Sequence, residues 1–289
     1  MNSLRTLLAG IVDYAGLFPP AGLDMKTAAR NYQSYRTGDH VWALGRFIVP
    51  VSRLGELEVE LVTTTGGEGW CVSTLTGSSL DKDIATIFAF NKRQRAVIDT
   101  IEVKASTPDA VREVANSVPS ILTTFVEVPL EPDPSPLISA IGKSGLRAKA
   151  RTGGVSAEAF PSSTSLARFL HACAVANVPF KATAGLHHPV RAAYCLTYEP
   201  DCPTGMMYGF LNLLFAAAVA RGGGSVNEVT AALEETSVSA FHVDDEGAEW
   251  GQYKIDVTKL SSLRGEFAIS FGSCSFTEPI EELKSIKLL

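Results

Sequence analysis

Residues 100–106 read TIEVKAS, and the alternation in that run decides the fold. Side chains alternate across a β-strand, so Glu102 and Lys104 share one face and Ile101 and Val103 share the other. Three further runs repeat the pattern: FVEVP at 125–129, LRAKARTGG at 146–154 and PFKATAGLHH at 179–188. In them Lys149 and Arg151 share a face, as do Lys181 and Thr183, while Ala148, Ala150, Phe180 and Ala182 lie opposite. The apolar face of each strand must pack on something, which leaves the charged face enclosed or lining a cavity. Enclosed charges must be paired or must hold a ligand, because a bare buried ion is costly.

Outward from these runs, further strands are expected at 45–50 (GRFIVP), 69–75 (GWCVSTL), 237–241 (SVSAF) and 266–271 (EFAISF), with the central four extended to 96–104, 120–128, 146–151 and 179–183. Between most of them lie segments with apolar residues every three or four positions: 81–93, 107–118, 135–145 and 162–178. Several begin with a Ser, Thr or Asp start signal. Eight strands alternating with helices predict a single-domain (β/α)8 TIM barrel over 1–289. No G-x-G-x-x-G follows the first strand, which disfavours an open dinucleotide-binding sheet. Residues 1–44 read as an N-terminal extension. Its helix, DMKTAARNYQSYR at 24–36, runs down to the start of the first strand and so carries DYAGLFPPAG (13–22) to the active-site mouth. Residues 189–236 read as a helical insert after strand six, with helices near 190–198, 206–221 and 226–235. The seventh strand has a competitor, because FHVDDEGAEWGQYKI also fits a hairpin with a DDEG turn.

The bulk properties fit such a barrel. At 289 residues the chain meets the usual barrel length of about 250, and 46% hydrophobic residues suffice for a large core. The net charge of −6 argues against nucleic acid and membrane surfaces as partners. The longest apolar run, 209–220, is too short to span a bilayer. Five scattered cysteines (71, 173, 195, 202 and 274) without metal-ligand spacing, and no signal peptide, predict reduced thiols and a cytoplasmic location. A homo-oligomer is left open.

Catalytic groups in such barrels sit at the C-terminal strand ends. Four cations (Lys104, Lys149, Arg151, Lys181) face two anions (Glu102, Glu127), which leaves about two positive charges for a small anionic metabolite, a phosphate or a carboxylate, to balance. The glycine-rich ends Gly153–Gly154 and Gly272–Ser273–Cys274–Ser275 offer backbone N–H groups to the same anion, with Thr183 beside them. Lys181 is the expected reactive amine. Lys149 and Arg151 are expected to depress its pKa, and Glu127 or Glu102 to move protons. His187 is a candidate acid or base, with His188 next to it. Cys274 with His187 is a candidate thiol nucleophile. Tyr14 and Phe18 are placed to close over the ligand. His242, Asp244, Asp245 and Glu246 offer oxygen and nitrogen ligands to a divalent metal but read better as a solvated acidic turn. No cofactor is implied.

PFKATAGLHH resembles the sixth-strand segment of barrel aldolases that form a Schiff base, in particular the deoxyribose-phosphate aldolase type, whose strand ends in Lys-Thr-x-x-Gly. Here the run is Lys181-Ala182-Thr183-Ala184-Gly185. The resemblance implies an imine on Lys181 and lyase chemistry on a carbonyl substrate. The chain departs from that type in lacking a lysine at the next strand end and an aspartate on the middle strands, where Glu127 is the nearest substitute. Four stretches, DYAGLFPPAG, RTGG, FKATAGLHHPVR and FGSCSFTEP, are similar to an uncharacterised family of bacterial proteins, and that likeness implies no activity. The interior mixture of Lys, Arg and Glu is also similar to decarboxylating phosphoribosyltransferases and metal-assisted enolising barrels. A non-catalytic binder of anionic metabolites is the third reading.

Overall fold

The structure, a computed structural model, describes residues 2–63, 69–93 and 95–289. Its centre is a closed ring of eight parallel strands, a (β/α)8 TIM barrel. In chain order the strands are β1 (Val12–Tyr14), β2 (Leu44–Pro50), β3 (Trp70–Leu75), β4 (Ala96–Lys104), β5 (Thr123–Glu127), β6 (Arg147–Arg151) and β7 (Phe180–Thr183). After these come a two-stranded antiparallel pair, β8 (Ala192–Cys195) and β9 (Thr204–Met207), and a three-stranded antiparallel sheet, β10 (Phe241–Val243), β11 (Gly247–Trp250) and β12 (Tyr253–Asp256). The last barrel strand, β13 (Ala268–Ser273), pairs with both β7 and β1 and closes the ring.

The helices are α1 (Asn2–Leu8), α2 (Met25–Arg36), α3 (Leu54–Thr63), α4 (Leu80–Asn91), α5 (Pro108–Ser117), α6 (Ser135–Lys143), α7 (Ser163–Val175), α8 (Phe210–Arg221), α9 (Val226–Glu234), α10 (Val257–Glu266) and α11 (Thr277–Ser285). Local chemistry starts many of them. Thr107 caps α5 by accepting from Ala110 N, with Pro108 in the first turn. Ser162 caps α7 by accepting from Ser165 N, and Ser225 with Glu228 forms a capping box on α9. Replacing Ser162 by Ala would cost α7 about 1 kcal/mol. Helix α8 is apolar on nearly every side, and ten of its twelve residues are buried. Such a helix needs neighbours all round, and α7, α9, α10 and β13 supply them.

The outward faces of the strands pack on this helical layer, which is why the charged faces turn inward. Phe180 on β7 meets Phe169 of α7 and Phe267 edge-on. Tyr14, Tyr32, Phe47 and Trp70 stack together between β1, β2, β3 and α2. Each such ring contributes roughly 1.5–3 kcal/mol on burial.

Four expectations are corrected. The first barrel strand is β1, inside the segment read as an N-terminal extension, so the strand at 44–50 is the second and Lys181 lies on the seventh, not the sixth. Residues 237–241 do not enter the barrel. They form a 3₁₀ turn leading into β10, and the competing hairpin reading of 241–255 holds, because these strands pair antiparallel across the Asp244 turn. The insert at 189–236 follows the seventh barrel strand, and its first element is the β8–β9 hairpin rather than a helix. Cys195 and Cys202 cross-link that hairpin with Cα atoms 5.5 Å apart, so they are not reduced thiols, while Cys71, Cys173 and Cys274 are free. The cysteine count thus no longer speaks for a reducing compartment. No helix among the described residues is long and apolar enough to cross a membrane.

Candidate active site

Four strand-borne side chains and one from β1 form a continuous ion-pair chain on the barrel axis. Lys181 Nζ lies 2.6 Å from Asp13 Oδ2 and 2.7 Å from Glu102 Oε1. Glu102 bridges onward, its Oε2 lying 2.6 Å from Lys149 Nζ, which sits 2.7 Å from Glu127 Oε2. Strand register sets the order. Glu127, Lys149 and Lys181 are direct partners across β5, β6 and β7, and Lys104 stands opposite Glu127 on β4. Hydroxyls complete the shell: Ser73 Oγ donates to Glu102 Oε1 at 2.9 Å, and Ser270 Oγ to Asp13 Oδ2 at 2.7 Å. The other Asp13 oxygen accepts from Arg46 N at 2.8 Å. This approach requires Gly45, because a Cβ there would stand 2.4 Å from Asp13 Oδ1.

Burial by itself would push Glu102 up, but the Lys149 and Lys181 ammonium groups override it and hold the carboxyl well below the usual range. The same balance runs the other way at Lys181. Burial pulls its ammonium down, while Asp13 and Glu102 more than offset this and the net shift is upward. The expected depressed amine is therefore corrected. Its nearest charges are two carboxylates, and Lys149 is held off by the Glu102 that both lysines share.

Above this chain opens a cavity of about 350 Å³, at the C-terminal strand ends. Lys181, Lys149, Glu102, Glu127, Lys104, Arg151, Thr183, Gly154, Gly272, His187 and Cys274 line it, and with Phe18 twelve of the sequence-chosen residues come together. Ala15, Phe18 and Pro19 from the loop after β1 form one wall, and Ile48 and Leu75 add apolar surface. After β7 the chain turns sharply through Ala184 and Gly185, at φ 67° and 74°. A Cβ on Gly185 would meet Phe160 and Gly153, so this turn and the end of β6 touch backbone to backbone.

A second polar cluster stands at the side of the cavity. His187 Nδ1 lies 3.2 Å from Ser273 Oγ, 3.2 Å from Glu278 Oε2 and 3.9 Å from Cys274 Sγ. The Tyr198 hydroxyl, carried on the disulfide-linked loop, reaches Cys274 Sγ at 3.6 Å. Burial would lower the His187 pKa, but Cys274 and Glu278 raise it to about 9, so the ring is an imidazolium at neutral pH. His188 faces away, onto Glu282 and the ring of Tyr194.

Some expected residues fall elsewhere. Tyr14 is buried outside the barrel interior, where its hydroxyl accepts from Asn31 and its ring stacks near Tyr32 and Phe47. Alternation explains this: Asp13 points inward, so Tyr14 must point to α2. Gly153 serves packing against Phe160, and Ser275 Oγ accepts from Glu278 N in the turn before α11. Asp244 accepts from the backbone of Glu246 and Gly247, as a turn residue does. Among the described residues no group of three or more His, Cys, Asp and Glu is arranged to hold a metal ion.

Asp13, Ser73, Ser270 and Tyr198 were not singled out from sequence. Asp13 changes the charge count most. With it, four cations face three anions, and the expected excess of two falls to one. A scan against models of known protein families and a search of curated proteins both find no match to this chain.

Proposed function

We propose that the protein is a carbon–carbon lyase that acts on a small anionic carbonyl compound through an imine on Lys181. The observation that carries this reading is the position of Lys181 Nζ. It is 1% exposed at the floor of the cavity and lies within 2.7 Å of two carboxylates. The upward shift of its ammonium supports the reading once the charge of the adduct is considered. An ammonium and a ketone or aldehyde condense to a protonated imine and water, so the positive charge stays on the same nitrogen. A site that stabilises a cation there stabilises the iminium as well. To attack the carbonyl, Lys181 first passes one proton to Asp13. That proton returns to the carbinolamine oxygen, which leaves as water. The iminium then withdraws electrons from the adjacent carbon–carbon bond, and Glu127, linked through Lys149, takes or returns the proton released.

The same upward shift favours a second reading, in which Lys181 and Lys149 stay ammonium groups and stabilise an enolate by hydrogen bonding without covalent attachment. Borohydride separates the two. Small aldehyde and ketone phosphates and oxo acids are incubated with the protein, reduced and analysed by peptide mass. An adduct on Lys181, absent in Lys181→Met, is the expected result. Turnover or proton exchange without an adduct selects the second reading. A ligand-binding protein with neither refutes both.

A further inference from the structure

The polar groups of the cavity are graded by depth. At the floor, Lys149 and Lys181 are 3% and 1% exposed and face Asp13, Glu102 and Glu127, two cations against three anions. Each ammonium there already holds two carboxylates, at 2.6–2.7 Å. An incoming anion would meet a net negative charge there, with three carboxylates beside the two ammonium groups. The positive excess lies at the mouth. Lys104 ends β4 with its side chain 80% exposed and its Nζ 3.8 Å from Glu127, a loose contact. Arg151 ends β6, exposed, and no carboxylate among the described residues pairs with it. Both residues, with Glu127, also line a neighbouring open cavity of about 570 Å³ whose rim carries Glu131 and Glu158. Glu131 is engaged by Ser165 Oγ. Lys104 and Arg151 thus stand between two cavities and line both.

We propose that the site takes its ligand carbonyl end first, with the ligand's phosphate or carboxylate held outside, between Lys104 and Arg151. Arg151 lies two residues beyond Lys149 on the same strand face, roughly 6.6 Å further out. Covering that span takes about five to six bonds of extended chain from the carbonyl carbon to the anion's oxygens, since three bonds carry a backbone about 3.3–3.6 Å. The substrate class is therefore a three- or four-carbon carbonyl monophosphate or a five- or six-carbon oxo acid. A 2-oxo acid is rejected, because its carboxylate would be drawn to the floor against Glu102 and Asp13. The spacing rests on the reading of Lys181 given above; the anion subsite does not.

Two measurements test the halves separately. The first is thermal denaturation in inorganic phosphate at constant ionic strength. Phosphate should raise the midpoint of the wild type and of Lys181→Met by several degrees, and leave Arg151→Met and Lys104→Met unmoved. A full shift retained in the Arg151→Met/Lys104→Met double variant, or a shift lost in His187→Gln instead, overturns the subsite. The second is the borohydride trapping rate across a series. A rate at least tenfold higher for carbonyl monophosphates and 5-oxo acids than for 2-oxo acids is expected, with the preference gone in Arg151→Met. Equal or faster trapping of 2-oxo acids overturns the spacing. If nothing traps on Lys181 while phosphate still depends on Arg151, the imine reading fails and the subsite stands.

Discussion

The cavity is edged by two polar clusters built in different ways. The floor cluster comes from barrel strands, and its ionic contacts are short, direct and closed on themselves. The side cluster comes from loops, the last residue of β13 and the start of α11, and its contacts run from 3.2 to 3.9 Å around His187. Strands in a closed ring fix side-chain positions through register, so the floor has a fixed charge pattern. Loops fix them through a cross-link, a turn and a histidine whose pKa is raised to about 9. The contrast assigns a constant electrostatic task to the first and an adjustable one to the second.

The hardest way to break the contrast is at Glu102, which joins the two lysines. Glu102→Gln leaves two buried ammonium groups sharing one carboxylate fewer. Its expected cost is about 3–5 kcal/mol, read as a lower urea midpoint at neutral pH. A loss under 1 kcal/mol would mean that the floor relaxes as readily as a loop. Next comes the cross-link. Replacing Cys195 and Cys202 together by Ser frees a short loop and should cost about 2–3 kcal/mol, while borohydride trapping on Lys181 stays within twofold of wild type. A collapse of trapping would tie the floor to the hairpin. The third effect is a pH dependence. A histidine whose folded-state pKa is raised adds stability that is whole below about pH 6.5 and is lost as pH rises through about 9. The wild-type midpoint should therefore fall between pH 7 and pH 9.5 by on the order of 2 kcal/mol, and His187→Gln should flatten that slope. An unchanged slope would deny the imidazolium.

Seven of the eight barrel strands were legible because each carries four or more residues of alternating or apolar pattern. The eighth is Val12–Tyr14, three residues long, and its single inward residue is an aspartate. V-D-Y does carry the apolar–charged–apolar alternation that marks F-K-A at 180–182, and that was the signal available. It was obscured because the ion pair that justifies a buried Asp13 comes from Lys181, far along the chain. SVSAF imitates a strand because its apolar alternation falls on a 3₁₀ turn that leaves Val238 exposed and delivers only Phe241 to a small antiparallel sheet. The site lysines, Glu102 and Glu127 were legible from charge facing inward. The sign of the Lys181 shift was not, since it depends on which oxygens lie within 3 Å and not on which residues share a face.

The shortness of β1 has a consequence for the order of assembly. It joins residues near 12 to residues near 271, the most distant pairing in the ring, and it brings the aspartate that neutralises Lys181. During translation β1 can pair with β2 early but must wait for nearly the whole chain before its second partner, β13, emerges. Until then β1 and β7 are open sheet edges, and the ring cannot seat Asp13 beside Lys181. The ion-pair chain and the barrel thus close in one late event, and two strand edges stay unpaired in the interval.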